Sequence, residues 1–156
     1  MIPRYTLPEM QAVWSEQARM DHWLEIEILA VEGWSSIGRI PADDAAEVRA
    51  KASFTVDEVL EIEEVTRHDV AAFVDVVARS VGDAGRWVHF GLTSSDVLDT
   101  ALALQMRDAV DLLLARVEAL LAVTKRRALE HRDTLCVGRS HGIVAEPSVF
   151  GHKLAL

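Results

Sequence analysis

The 156-residue sequence has few of the residues that cross-link a chain or anchor it in a membrane. Its single cysteine, Cys136, excludes an internal disulfide bridge and a cysteine metal cluster. No apolar run approaches the roughly 20 residues that a membrane-spanning helix needs. The first 30 residues also lack the basic start, apolar stretch and cleavage site of a secretory signal. We therefore expect a cytoplasmic protein with no membrane partner.

Positive charge is also scarce. The net charge is −9, and residues 1–65 hold 14 acidic against 5 basic side chains, whereas residues 66–156 hold 11 of each. Nonspecific nucleic-acid binding depends on basic side chains that neutralise phosphates. The acidic surface therefore predicts that nucleic acid is not a partner, although small anions could bind where arginine and histidine cluster.

Strand signals are missing, since no period-two alternation is bounded by hairpin turns. Internal repeats and Gly/Ser linkers are missing too. Half of the residues are hydrophobic, and their spacing is helical, so the sequence predicts an all-α fold. The first predicted helix covers residues 15–37, with Ser15 as cap and Gly38 as stop. Helices are also predicted over 41–51 and over 56–65, the latter behind a Thr55–Glu58 capping box. A core-facing helix follows a second box at Thr66–Asp69 and ends before Gly82.

A long helix is predicted from the cap candidates at 93–96 to Arg132, with a break near residues 105–108. A loop at 138–142 and a helix restarted by Pro147 follow it. The length of the long helix is typical of a bundle. We expect an N-terminal helical domain over residues 1–110 and the beginning of a central helical bundle domain over residues 111–156. The apolar residues of the long helix need partner helices, so we infer the front portion of a longer helical protein.

Three histidines, His68, His89 and His141, lie at predicted loop or cap positions instead of on apolar stripes. Any one of them could simply cap a helix or satisfy a buried polar group. The hydroxyls of Thr93, Ser94 and Ser95 at a helix start offer donors and the positive end of the helix dipole to one point. That arrangement favours binding of a carboxylate or a phosphate.

Other kinds of site are not indicated. No two histidines stand at the three- or four-residue helical spacing that places metal ligands on one face, so we expect no metal. A Gly-x-Ser-x-Gly nucleophile elbow and a glycine-rich nucleotide loop are both absent from the sequence.

Four sequence strings, taken in their order and spacing, indicate a family: IPRY at 2–5, TRHDV at 66–70, HFGLTSSDV at 89–97 and GRSHG at 138–142. Together they closely resemble the adenylosuccinate lyases, a family within the fumarase/aspartase superfamily. The last string alone would indicate only the superfamily, whereas the combination points to this family. The resemblance runs essentially from end to end of the chain.

The resemblance implies a fumarase/aspartase-like homotetramer whose long helices form a central bundle, with each active site built from three subunits. It implies no metal or organic cofactor. The implied reaction eliminates fumarate from a succinylated purine nucleotide: from adenylosuccinate, which leaves AMP, and from the succinocarboxamide ribotide of purine biosynthesis.

The resemblance also implies roles for individual residues. His141 would be the general acid that protonates the leaving nitrogen, and His89 would line the same pocket. The implied base is a serine on a glycine-rich loop beyond residue 156, so we expect this chain alone to be inactive. Ser140 and Val144 depart from the family's usual threonine and histidine. The nucleotide, chiefly its phosphate end, would be held by Arg4, Tyr5, Arg67, His68 and Asp69, and the succinyl carboxylates by Thr93 and Ser94.

Two alternatives stay open at this point. One is a sister enzyme, an argininosuccinate lyase or a carboxymuconate cycloisomerase. The other is a noncatalytic helical assembly module, which would explain the long helix and the acidic half but would leave the loop histidines and the hydroxyl run without a purpose.

Overall fold

The computed structural model describes residues 2–156, except for the side chain of Pro3, and its architecture is helical. The all-α prediction is confirmed, with one short β-hairpin that the sequence did not predict. The described residues form seven α-helices and two strands: α1 (Pro8–Val13), α2 (Glu16–Ser36), α3 (Ala42–Lys51), α4 (Val56–Thr66), α5 (Asp69–Val81), α6 (Ser94–Glu130), β1 (Leu135–Ser140), β2 (Ile143–Val149) and α7 (Phe150–Ala155).

Two predicted N-terminal caps and one predicted helix stop match the ends of the observed helices. The Ser15 hydroxyl accepts a hydrogen bond from the Ala18 N–H at 3.1 Å and starts α2. The Thr55 hydroxyl accepts from the Glu58 N–H at 3.3 Å, which confirms Thr55 as the cap of α4, and it donates to the Glu58 carboxylate at 2.7 Å, which therefore does not bind the Thr55 N–H as in a full capping box. Gly38, with a φ of 76°, follows α2 as predicted.

The second predicted capping box is wrong. Thr66 is the last residue of α4, and Arg67 ends that helix in the left-handed region, with a φ of 54°. The cap of α5 is therefore His68, whose Nδ1 accepts a hydrogen bond from the Ala71 N–H at 3.3 Å. The Asp69 carboxylate accepts from the Val70 N–H, so it does not reach back to Thr66.

The core of the first helices is organised around aromatic rings. Trp23 of α2 packs edge-on against Phe73 of α5, with ring centroids 5.4 Å apart, and Phe54 packs against the same ring at 5.2 Å. Aromatic pairs in this geometry add stabilisation beyond the burial of their area. The spacing of α5 predicts one apolar face, of which Val74 is half-buried and the other four residues are buried: Val70, Phe73, Val77 and Val81.

Helix α6 is continuous, so the predicted break near residues 105–108 is wrong. The polar residues that indicated a break have partners on other helices. The side-chain amide of Gln105, which is buried, donates to the Val13 carbonyl at 2.8 Å. Asp108 lies 3.6 Å from the imidazole of His22. These polar groups are satisfied without interrupting the helix.

The hairpin replaces the loop predicted at 138–142 and the helix predicted from Pro147. Strands β1 and β2 pair antiparallel, with Val137 opposite Pro147 and Ser140 opposite Ile143. The turn consists of His141 and Gly142, whose φ angles of 51° and 74° are both positive, as a type I′ turn requires. Helix α7 begins only at Phe150.

The chain divides into two compact units, Met1–Ala109 and Val110–Leu156, with the boundary inside α6. The assignment of residues 1–110 and 111–156 to two domains of a larger protein stays a prediction. No helix in the described part of the chain is long and apolar enough to cross a membrane.

Arg49 of α3 joins α3 to α2 through an ion-pair cluster. Its guanidinium binds both carboxylate oxygens of Glu32 at 2.7 and 2.8 Å and one oxygen of Glu25 at 2.8 Å. The hydrogen bonds that Arg49 donates lower the pKa of Glu32, and the bonds to Glu32, followed by the bond to Glu25, raise the pKa of Arg49. Because the cluster is partly exposed, we expect Arg49→Ala to lower the free energy of unfolding by no more than about 1 kcal/mol near pH 7.

The pH dependence of this loss tests its cause. A carboxylate with a lowered folded pKa contributes stability that is present at neutral pH and is lost as the pH falls through that pKa. The difference between the wild-type chain and the Arg49→Ala chain in urea unfolding should therefore shrink as the pH falls below the ordinary pKa of a glutamate. Arg39→Ala, which removes an exposed arginine outside the cluster, is the control. A difference that stays constant with pH would contradict the ion-pair origin.

Candidate functional site

The structure brings together two residues from separate sequence strings, His68 and Ser94. The Ser94 Oγ lies 3.4 Å from His68 Nε2. Because His68 Nδ1 accepts the capping hydrogen bond from the Ala71 N–H, the neutral ring carries its proton on Nε2. His68 therefore donates to Ser94, and the loop between α4 and α5 is tied to the first residue of α6.

The start of α6 has the hydrogen-bond donors expected of an anion site, and one of them already donates to a side chain of the protein. The Thr93 N–H donates to the Asp96 carboxylate at 2.8 Å. Ser94 and Ser95 are the first two residues of the helix, where backbone N–H groups have no intrahelical acceptors. With their hydroxyls and the helix dipole, they can bind a carboxylate or phosphate oxygen.

His89 is held by a residue that sequence reasoning missed. Glu27 of α2 accepts from the backbone N–H of His89 at 2.7 Å, and its second oxygen lies 2.6 Å from His89 Nδ1. A signal existed, because Glu27 falls in the buried stripe of α2 that contains Met20, Trp23 and Val31. A carboxylate on an apolar helix face needs a polar partner, and His89 supplies it.

Gly91 has a packing reason that needs no ligand. Its φ is 76°, and a Cβ placed there would lie 2.9 Å from the ring of Trp34. Both the backbone conformation and the close approach of the indole favour glycine. Phe90 packs edge-on against the same indole at 5.6 Å.

The other candidate residues of the first unit make contacts of their own. Arg4 and Tyr5 belong to the short 3-10 turn Pro3–Tyr5 and are exposed, with the guanidinium 4.8 Å from the centre of the phenol ring. Arg67 is exposed and forms an ion pair with Glu64 at 3.2 Å. Asp69 lies 3.5 Å from the imidazole of His68.

His141 lies in the second unit, at the tip of the hairpin, and is exposed. It is the first residue of the two-residue turn. The paired residues Ser140 and Ile143 fix the turn from either side.

Three of the candidate residues share an unusual backbone conformation. Among residues 2–156, the non-glycine residues with positive φ are Arg67 at 54°, His89 at 66° and His141 at 51°. Such conformations cost energy for residues with a side chain, and they occur often at functional sites. The positive φ angles are therefore independent of the sequence patterns that indicated these residues.

One candidate residue, Arg67, lines a groove of about 510 Å³ together with residues of α4 that include Leu60 and Glu64. A groove of about 710 Å³ lies elsewhere, between α4 and α5, and its lining includes Thr55, Glu58 and Arg79. Across residues 2–156, no three His, Cys, Asp or Glu side chains cluster as metal ligands would. The expectation of no metal or organic cofactor stays a prediction.

Comparison with known proteins identifies the class to which this helical chain belongs. A family model described as "Lyase" matches residues 4–156. The chain belongs to this lyase family. Its fold also matches solved members at about 30% identity. A fumarate lyase from Mesorhizobium sp. BNC1 covers 94% of the chain with a TM-score of 0.88 and 30% identity. A 3-carboxy-cis,cis-muconate lactonizing enzyme from Pseudomonas putida covers 97% with a TM-score of 0.89 and 31% identity.

Among curated relatives, the similarity is to adenylosuccinate lyases. The enzyme of Bacillus subtilis (strain 168) is 49% identical over all of this chain, and that of Synechocystis sp. is 52% identical over 99% of it. The chain covers 36% of each of these relatives, and 35% and 36% of the two solved structures. It therefore spans about a third of the length of the proteins it matches.

Proposed function

We propose that the chain is the N-terminal third of an adenylosuccinate lyase. This enzyme would eliminate fumarate from adenylosuccinate, which leaves AMP, and from the succinocarboxamide ribotide of purine biosynthesis. The observation that supports it is the contrast in sequence identity. Adenylosuccinate lyases are 49% and 52% identical to the chain, whereas the fumarate lyase and the muconate enzyme reach 30% and 31% with equally good folds.

The chemistry of the elimination suits the residues of the site. Breaking a C–N bond β to a carboxylate needs a base for the carbon acid, an acid for the leaving nitrogen and donors for the growing carboxylate charge. In this proposal His141 is the acid, and Thr93 and Ser94 bind the succinyl carboxylates. His68 supports Ser94 and binds the nucleotide together with Arg4, Tyr5, Arg67 and Asp69.

The proposal includes the assembly of the whole enzyme. The base would come from outside residues 1–156, so the chain alone would not turn over substrate. The whole enzyme would be a cytoplasmic homotetramer without metal, in which α6 belongs to a central bundle. The exposed apolar residues along α6 support this role.

A segment exchange tests the proposed function. We expect the Bacillus subtilis adenylosuccinate lyase to keep fumarate release from adenylosuccinate when this chain replaces its matching first third. The isolated 156-residue chain should show no turnover in the same ultraviolet assay. We call this chimera the exchange enzyme, and the variants for kinetic tests are made in it.

The matched control exchanges the same segment into the Pseudomonas putida muconate lactonizing enzyme, which the chain matches equally well in fold. We expect no muconate cyclisation from that protein. Activity there, with an inactive exchange enzyme, would instead support the sister-enzyme alternative. Turnover by the isolated chain at the rate of the exchange enzyme would show that the base is misplaced.

A further inference from the structure

The contact between Glu27 and His89 places a carboxylate inside an apolar core. Glu27 is 1% exposed, and both of its oxygens are used by the same residue. One accepts the backbone N–H of His89 at 2.7 Å, and the other lies 2.6 Å from the ring Nδ1. The buried carboxylate thus controls both the backbone and the imidazole of a candidate site residue.

The contact determines which ring nitrogen carries a proton. An ionised carboxylate only accepts hydrogen bonds, and an imidazole is a stronger base than a carboxylate. The proton shared between Glu27 and His89 therefore belongs to Nδ1, whether the ring is neutral or doubly protonated. The His89 side chain is 23% exposed, and Nε2 is the ring nitrogen left for a ligand.

We propose that Glu27 is a positioning residue that holds the proton of His89 on Nδ1, so that Nε2 binds an anionic group of the substrate as the donor of an imidazolium. The substrate part rests on the proposed function. An anion at Nε2 needs a proton there, and with Nδ1 already protonated the ring becomes a cation. The carboxylate behind the ring stabilises that cation, as it does in other carboxylate–histidine pairs.

The same contact fixes the backbone. His89 has a φ of 66°, and its N–H is directed into the core by Glu27. The residue begins the segment that leads to Thr93 and Ser94 at the start of α6. A single buried carboxylate therefore positions the imidazole and the approach to the hydroxyl run.

The substitution Glu27→Gln separates this role from simple packing. A glutamine has one oxygen, which must stay with the backbone N–H of His89 because that group can only donate. The amide NH₂ then faces the ring, so Nδ1 must become an acceptor and the proton moves to Nε2. The variant has nearly the same shape but the opposite tautomer of the neutral ring.

Nuclear magnetic resonance of the 156-residue chain with ring-¹⁵N histidine tests the tautomer. In the neutral wild-type ring we expect a protonated Nδ1 and an unprotonated Nε2, and in Glu27→Gln the reverse. His89→Asn assigns the signal, and Glu25→Gln, the same change on the same helix, should leave it unmoved. A wild-type ring protonated on Nε2, or the wild-type pattern in Glu27→Gln, would overturn the proposal.

Kinetics of the exchange enzyme test the substrate part. Because a charge-assisted hydrogen bond is about twice as strong as a neutral one, Glu27→Gln should raise KM about tenfold and change kcat by less than about threefold. Weaker inhibition by AMP would identify the phosphate as the bound group, and weaker inhibition by fumarate a carboxylate. A fall in kcat with KM and both inhibitions unchanged would refute the binding role. An inactive parent exchange enzyme would count against the proposed function, while the tautomer result would still stand.

Discussion

Replacing His141 by alanine in the exchange enzyme should lower kcat by about 10² to 10⁴, the usual contribution of a general acid. The leaving nitrogen would then depart without a proton, while substrate binding would change little. Steady-state kinetics with adenylosuccinate, analysed for kcat and KM separately, measure the effect. The exposed place of His141 in a hairpin turn means that its loss should not disturb a core.

A His68 variant is the matched comparison, and the structure shows how to design it. His68→Ala would also remove the cap of α5, so a loss of activity could come from the helix. His68→Asn keeps a capping side chain and removes the contact between the ring and Ser94. We expect a KM raised about tenfold with kcat nearly unchanged, since a binding contact exists in ground and transition states alike. If His141→Ala keeps its kcat and loses only affinity, His68 or His89 becomes the better acid.

The isolated chain should associate with itself through the second half of α6. Five side chains at helical spacing form an exposed apolar face there, with Leu121 64% exposed. Such a face is larger than a protein in water normally leaves uncovered. Sedimentation over a concentration series should show oligomers, and an apolar dye should bind. The face consists of Leu113, Leu114, Val117, Leu120 and Leu121.

The double substitution Leu114→Glu and Leu121→Glu should weaken this association at least about 100-fold, because each buried leucine contributes about 1.5 to 3 kcal/mol. Val65→Glu changes an exposed valine of α4 outside the face and should leave the association unchanged. A monomer at high concentration without dye binding would contradict the expectation.

Local signals in the sequence were enough for most of the helices. Ser15 and Thr55 form the caps that their side chains predict, because a cap depends on residues within one turn. The predicted break in α6 is wrong because its polar residues have partners that are distant in the chain. The partners of Gln105 and Asp108 are Val13 and His22, which lie more than 80 residues away in the chain. A local pattern cannot distinguish a polar residue that ends a helix from one that has a distant partner.

The hairpin escaped prediction because its strands lie largely on the surface. Most side chains of β1 and β2 are exposed or half-buried, so no alternation of apolar and polar residues was required. Gly138 and Pro147 weaken strand propensity further. The one available signal was the His141–Gly142 pair, which is a less common version of the Asn-Gly turn.

The sequence predicted residues of the candidate site but not the buried group that orients one of them. His68, His89 and Ser94 were identifiable from their positions, whereas Glu27 showed only its place in the apolar stripe of α2 and not its partner, which is 62 residues distant. Capping was one of the roles left open for His68, and Thr66 offered a more familiar cap for the same helix. Sequence patterns identify groups that face a ligand more readily than the buried groups that orient them.

The left-handed conformations of Arg67, His89 and His141 have a consequence for engineering this chain. Asparagine adopts that conformation at lower cost than arginine, and glycine adopts it freely. A library selected only for resistance to heat would therefore enrich asparagine or glycine at Arg67 and His141, whereas at His89 the same change would leave the buried Glu27 carboxylate without its imidazole partner. Each gain in melting temperature obtained there would remove a guanidinium or an imidazole from the surface, so heat resistance and substrate turnover would have to be selected together.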